Sequence, residues 1–396
     1  MLATAHEECA ARDRPRWEIG DIVRAHRGAL EQVRRLSLDQ QRALSAIALC
    51  RTAALGGHLD VCTACGHEQP AYNSCRNRHC PKCQALAQEK WVSDRLARIL
   101  PVPHFHVVFT LPAALRPLAA YRPKLVYDLL FKTASATLLD VGRGPKLGGL
   151  LGFTAVLHTW TRELELHPHL HCIVTGGALA PSGERWIRAR AKHLLPVRVL
   201  ADVFRGKFLA ALRQEHSRGG FEGFDAFRDP QGFEHLCSVI TKHRWVVYAK
   251  KPFAGPEHVF RYLGRYTHRV GIANSRLVHV DEERVTFRTK NGKTATLAPV
   301  DFLARFVQHV LPKGYVKIRH YGLLAASNVR SLLERARELL RPAPNARPGA
   351  SPTSWIEILL ALAGRDLRRC ALCDGPVVMM ALPATSPRPT ARAPPP

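Results

Sequence analysis

Apolar and polar positions divide the chain into helical and extended stretches. Over residues 1–45, Ile22-Val23, Leu30, Val33, Leu36 and Leu44 fall at three- and four-residue spacing, which predicts amphipathic helix. Residues 84–100 return to that period and stop at Pro101 and Pro103. The run PHFHVVFTLP is dense in aromatic and β-branched residues and predicts a buried strand, followed by helix over Leu125–Leu139. A Gly-rich turn, GRGPKLGG, leads into a second extended stretch, Gly152–Gly176. Residues 195–245 read as mostly helical around a Gly/Phe-rich loop, RGGFEGFDAF. Shorter strand signals follow at Trp245–Tyr248, Arg276–Val280 and Val285–Thr289, the last two paired as a hairpin about Asp281-Glu282-Glu283. Residues 342–354 have the Pro/Gly/Ser content of a linker, and the final twenty or so residues, ending PATSPRPTARAPPP, are low-complexity and expected to be disordered.

One extended stretch carries more than packing. From Glu163 to Val174, residues Leu164, Leu166, Leu170, Cys172 and Val174 alternate with Glu163, Glu165, His167, His169 and His171. Successive strand residues point to opposite faces, so an apolar face seats the strand while the reverse presents imidazoles and carboxylates, as a sheet would to a divalent metal. His104-Phe105-His106 has the same spacing, but its neighbours Val107, Val108, Phe109 and Leu111 are apolar on both faces. It reads as a buried adjacent strand. Cys172 and Cys237 read as small core residues.

Charge narrows the partner. The 396 residues carry 58 Lys plus Arg against 32 Asp plus Glu, a net charge of +26, which points to a polyanion because each neutralised phosphate releases counterions. An Arg-rich protein of a GC-rich genome is the plainer alternative. No signal peptide and no apolar run of spanning length stand out, so the expectation is a cytoplasmic, nucleoid-associated protein without a membrane partner. In that compartment eleven cysteines point to metal rather than to disulfides.

Six of those cysteines lie within residues 50–83. Cys62-x2-Cys65 and Cys80-x2-Cys83 each form a turn able to aim two thiolates at one ion, and together they would close a tetrahedral Zn²⁺ site. Cys50, His58, Cys75 and His79 remain as ligands for a possible second zinc, or as packed bystanders. Arg76, Arg78 and Lys82 around them suit phosphate contact. Cys370-x2-Cys373 is half a zinc knuckle with no evident partner, and it is assigned no metal.

The segment PEHVFRYLGRYTHRV opens with a plausible helix start and sets Tyr262 and Tyr266 four apart, on one helical face. Arg265 and Arg269 flank them. A phenol with an ordinary pKa near 10 is a poor nucleophile at neutral pH, whereas guanidinium groups favour the phenolate and can clamp a phosphate. By itself a tyrosine pair at this spacing is weak evidence, since such pairs are more often core or interface residues.

At these residues the chain resembles a two-tyrosine HUH rolling-circle transposase of the insertion-sequence ninety-one type. His169-Leu170-His171 matches the histidine–bulky–histidine motif, YLGRYTHR the tyrosine motif, and GGHLDVCTACGHEQPAYNSCRNRHCPKCQ the N-terminal transposase zinc-binding domain. VPHFHVVFTLP and HYGLLA also look familial, so the resemblance runs from about residue 20 to about 340. It implies that His169 and His171 bind a catalytic Mg²⁺ or Mn²⁺. It further implies that Tyr262 and Tyr266 cut and rejoin single-stranded DNA at transposon ends and target through 5′-phosphotyrosine links. The third ligand stays open among Glu163, Glu165, His167 or a residue from elsewhere. The implied architecture is α+β. A helical zinc-ribbon, DNA-binding domain (1–100) would precede a catalytic domain with an HUH-type antiparallel sheet flanked by helices (101–341). Residues 342–396 would add a linker, a short helix and a disordered Pro-rich tail. The rivals are a replication initiator or relaxase with the same site, disfavoured by the lack of a GxxxxGK[ST] loop, and a non-catalytic zinc DNA-binding protein, either a regulator or a decayed transposase.

Overall fold

The computed structural model describes residues 16–385 except 97–98, 191–192, 230, 251–270, 341–359, 361–365 and 367. The tyrosine segment and the Pro-rich end of the chain therefore lie outside the described residues.

Two helices open the chain, α1 (Ile19–Val33) and α2 (Leu38–Leu49). Each starts on a reciprocal capping box, Glu18 with Asp21 and Ser37 with Gln40, which satisfies amide donors that a helix start leaves orphaned. Strands β1 (Gly57–Cys62) and β2 (Glu68–Tyr72) and helix α3 (Ala85–Leu96) complete the N-terminal region.

The centre is a five-stranded sheet built from β3 (His104–Thr110), β4 (Gly152–Trp160), β5 (Leu166–Thr175), β8 (Val246–Lys250) and β12 (Ile318–Gly322). Its order is β12-β4-β5-β3-β8 and every pairing is antiparallel. Helices α4 (Arg116–Tyr121), α5 (Pro123–Arg143), α6 (Val197–Ser217) and α7 (Gly232–Lys242) contribute to a core on one face. The sheet supplies Phe105, Val107, Phe109, Phe153, Ala155, Leu157, Leu170, Cys172 and Val174 to that core. Phe109, Phe204, Phe208 and Trp245 meet edge-on or tilted inside it, a geometry their ring quadrupoles favour. Between β5 and β8 runs a short hairpin of β6 (Gly177–Leu179) and β7 (Trp186–Arg188).

The hairpin expected around Asp281 forms, as β9 (Leu277–Val280) and β10 (Val285–Arg288), and β11 (Thr294–Leu297) adds a third strand. Helix α8 (Pro299–Val307) packs on it, while α9 (Leu332–Leu339) joins a small cluster with Leu100 and Leu323. A second core joins Ile19, Ile22, Leu30, Leu44 and Ile47 to Phe287, Phe302 and Phe306. The expected 1–100 and 101–341 units thus share a core. Polar contacts bind the same seam: Ile19 N donates to Asn274 Oδ1 at 3.1 Å and Gln40 Nε2 to the Val307 carbonyl at 2.9 Å. Strand β13 (Val377–Leu382) lies within the final twenty residues expected to be disordered and corrects that expectation, because β1 offers it a full antiparallel register in a sheet of order β13-β1-β2. No helix among the described residues is long and apolar enough to cross a membrane.

Two buried imidazoles make stability depend on pH. His104 lies 2.8 Å from the Val102 carbonyl, and His309 meets Thr159 Oγ1 at 3.2 Å and the Leu164 carbonyl at 3.1 Å. Burial holds both at about 4. The unfolded chain takes up these protons near pH 6.5 and the native state does not, so stability is full above that pH and falls as pH drops toward 4. The loss reaches at most about 3 kcal/mol per imidazole. Urea midpoints between pH 7 and 5 should fall, with a smaller slope in His309→Gln; a slope unchanged by that substitution would contradict the assignment.

Candidate metal centre

The alternation read from the sequence holds only from Leu166 onward. Leu164 adopts a left-handed conformation, φ 61°, in the turn between β4 and β5, so Glu163 and Glu165 do not extend the histidine face. Glu165 instead faces Arg116 at 3.3 Å, and the Glu163 amide bonds Thr161 Oγ1 at 3.2 Å.

Within β5 the register sets the site. Leu170, Cys172 and Val174 enter the helical core, turning His167, His169 and His171 to the opposite face. On β4 the same parity sends Phe153, Ala155 and Leu157 into the core and His158 outward. His158 is paired directly with His169. The three imidazoles of His158, His169 and His171 bring one ligand atom each to within 4.8 Å of one another. Their ring centroids are 5.5 Å apart for His158–His169, 4.3 Å for His158–His171 and 4.9 Å for His169–His171. None of Glu163, Glu165 and His167 joins this group; the residue that does is His158, eleven positions upstream.

The surroundings orient the rings. His169 Nδ1 lies 2.6 Å from the His167 carbonyl, which makes Nδ1–H the donor and leaves the lone pair on Nε2. His171 Nδ1 lies 2.7 Å from His106 Nε2 on β3. For His171 to ligate through Nε2, its Nδ1–H must donate to His106, the outer-sphere arrangement common to metal-bound histidines. His106 is thus a buried neighbour, as its apolar flanks suggested, and one that touches the site. Trp160 stacks on His158 at 4.9 Å with planes 16° apart. Burial holds His169 and His106 at about 4 and His171 well below its ordinary value, each also repelled by neighbouring charge. Neutral imidazoles with converging nitrogens and no room for protons suit a divalent cation.

The cysteines fall into two tetrads, which corrects the pairing expected from spacing. Cys80 and Cys83 meet Cys50 and Cys75, not Cys62 and Cys65. Cys50 caps the end of α2, and its Sγ accepts from the Cys75 amide at 3.4 Å. Cys62 and Cys65 instead meet Cys370 and Cys373, the pair left without a partner. His58 and His79 belong to neither set. His58 faces Asp60 at 3.4 Å. His79 Nε2 accepts from the Leu311 amide at 3.3 Å, and burial with nearby cations holds it at about 3.

Among the basic residues around the tetrads, Arg76 is exposed. Arg78 donates to the carbonyls of Leu311, Pro312 and Tyr315, and Lys82 pairs with Glu18 at 2.6 Å, so both are engaged in packing. Tyr262, Tyr266, Arg265 and Arg269 lie outside the described residues. The chain on either side of them is at the histidine sheet. Lys250, at the end of β8, is in register with His106. Gly271 abuts Leu164, His309 and Trp160 so closely that a Cβ there would come within 2.9 Å of Leu164.

Comparison with known proteins identifies the class. A family model described as "Putative transposase" matches residues 152–331, and one described as "Transposase zinc-binding domain" matches residues 22–111. The chain is 44% identical over 370 residues to "Putative transposase y4qJ" of Sinorhizobium fredii, spanning 90% of this chain and 92% of that one. It is 30% identical over 344 residues to the transposase for insertion sequence element IS801 of Pseudomonas savastanoi pv. phaseolicola, spanning 84% and 81%. No solved structure gives a significant match. The chain belongs to the insertion-sequence ninety-one family of transposases, with that family's zinc-binding domain.

Proposed function

We propose that the chain is an HUH-class transposase that cuts and rejoins single-stranded DNA at element ends and target through 5′-phosphotyrosine intermediates. The observation that carries this reading is the convergence of His158, His169 and His171 on one face of an antiparallel sheet. These three residues would hold Mg²⁺ or Mn²⁺, and of the two, nitrogen donors favour Mn²⁺. When bound, the ion supplies Lewis-acid polarisation of the scissile phosphate. The sheet keeps the imidazoles neutral and fixed, and His106 and the His167 carbonyl hold two ring orientations.

Tyr262 and Tyr266 supply the nucleophiles. A phenolate oxygen bonds to phosphorus, and the strand's 3′ oxygen departs as a 3′-hydroxyl on taking a proton. The new ester retains the energy of the broken diester, so rejoining needs no nucleotide triphosphate. Two tyrosines allow one strand to be held while a second is cut. Arg265 and Arg269 would favour the phenolate and clamp the phosphate. Both flanks of residues 251–270 reach the histidine sheet, at Lys250 and Gly271, which supports delivery of the tyrosines to that face. The net charge of +26 and the exposed Arg76 fit a DNA partner. Zn²⁺ held by Cys50, Cys75, Cys80 and Cys83 would fix the N-terminal module.

Labelled single-stranded element ends incubated with the protein and Mn²⁺ should give a covalent, protease-sensitive adduct. The double variant Tyr262→Phe/Tyr266→Phe should abolish it. An adduct that survives this substitution, or that forms in chelator, rules the mechanism out.

A further inference from the structure

We infer that Cys62, Cys65, Cys370 and Cys373 form a second tetrathiolate zinc site, which clamps the C-terminal strand to the N-terminal module. The two C-x2-C pairs lie more than 300 residues apart, and Cys370 and Cys373 fall outside both matched family regions, which end at residues 111 and 331.

Both pairs are folded as the same turn. In the first, the Cys62 amide donates to the His67 carbonyl at 2.9 Å and the Gly66 amide to the Cys62 carbonyl at 3.0 Å. In the second, the Cys370 amide donates to the Gly375 carbonyl at 2.8 Å and the Asp374 amide to the Cys370 carbonyl at 3.1 Å. The residue four beyond the first cysteine is left-handed in each: Gly66 at φ 72° and Asp374 at φ 56°. Two such turns facing one another make a zinc ribbon. Strand β1 runs into the first at Cys62 and β13 leaves the second at Val377, with Cys62 and Val377 in register.

The sulfurs have the spacing an ion requires. Cys62 Sγ lies 3.4 Å from Cys373 Sγ, and Cys65 Sγ lies 3.8 Å from Cys370 Sγ. A Zn–S bond of about 2.3 Å implies a tetrahedral S–S edge of about 3.8 Å. The tetrad at Cys50 shows the same edge, 3.8 Å between Cys75 and Cys83. Backbone donors face the sulfurs, with the Leu372 amide 3.4 Å from Cys370 Sγ. The cross-turn approach also needs a residue without a side chain: a Cβ on Gly375 would come within 2.7 Å of Ala64 Cβ and 3.3 Å of Cys62 Sγ. A site whose halves are this distant in sequence closes a loop around the whole catalytic sheet.

The experiment is metal analysis of the full chain, purified with zinc. With the histidine site removed from both proteins by His169→Ala/His171→Ala, the chain should hold two zinc ions and its Cys370→Ser/Cys373→Ser variant one. In the variant, residues 366–385 should be cut by a nonspecific protease while the central sheet resists. Substitution of Co²⁺ gives a second readout: thiolate-to-cobalt absorption should halve in the variant and be restored in part by Cys373→His. One zinc in the chain without the histidine site, two in its Cys370→Ser/Cys373→Ser variant, or a Cys62–Cys373 disulfide in place of the ion would overturn the inference. None of these readouts depends on DNA cleavage, so the clamp and the proposed chemistry stand or fall separately.

Discussion

His158→Ala should weaken Mn²⁺ binding at the histidine site by about a hundredfold or more, since outer-sphere changes alone cost 10- to 100-fold, and should reduce adduct formation at least as much. The reason is geometric. His158 is the member of the trio on β4, and only its direct pairing with His169 closes a third side of the site. Two imidazoles remaining on β5 are two residues apart on one strand and cannot enclose an ion by themselves. The substitution also leaves Trp160 without the ring it stacks on. His158→Gln separates the two effects, because it fills space and restores a donor atom without restoring the nitrogen. With zinc supplied at no more than the two equivalents that the thiolates take first, calorimetric titration of Mn²⁺ reads the histidine site. Wild-type Mn²⁺ affinity in His158→Ala would show that the ion sits elsewhere and would remove the basis for the proposed centre.

The half of the site that the sequence displays is the half that one strand carries. Alternation around His169 and His171 is local and needs only strand periodicity. His158 is different, for its place depends on how β4 pairs with β5, and the register between two strands leaves no local trace in either. A signal existed: His158 is the single ionisable residue in GFTAVLHTW, within a stretch already read as extended. Overextending the strand to Glu163 had a comparable cause, since nothing marks Leu164 as left-handed where glycine or asparagine would be the usual choice. The cysteines repeat the lesson. Each C-x2-C turn is legible, but which turn meets which is tertiary, and sequence proximity favoured Cys62/Cys65 with Cys80/Cys83 over the pairs that form. The hairpin at Asp281 and the helices α5 to α7 were legible because their patterns are long or sharply bounded.

The two tetrads differ in what surrounds them, so losing a ligand from each should have unequal consequences. Cys80 is fully buried and, with Cys50, belongs to the core that joins α1 and α2 to Phe287, Phe302 and Phe306. A serine there would remove a thiolate from the ion and leave the buried sulfur of Cys50 and the half-buried sulfurs of Cys75 and Cys83 with a broken ligand set. Structural zinc in small domains binds with about 10–16 kcal/mol, and domains are stable by about 5–15 kcal/mol in all. Even a partial loss of about 4 kcal/mol lowers the melting temperature by about 8–16 °C in a domain of this size. Cys80→Ser should therefore melt at least about 8 °C below wild type, or be recovered only as aggregate. Beside the other tetrad, Val378, Met379 and Met380 of β13 are more than half exposed, and among the described residues none of the three belongs to a hydrophobic core. Cys373→Ser should free the C-terminal strand while moving the main unfolding transition by only a few degrees. Scanning calorimetry on the two variants at equal zinc distinguishes them, and equal losses would mean that the core at Cys80 does not rest on its metal.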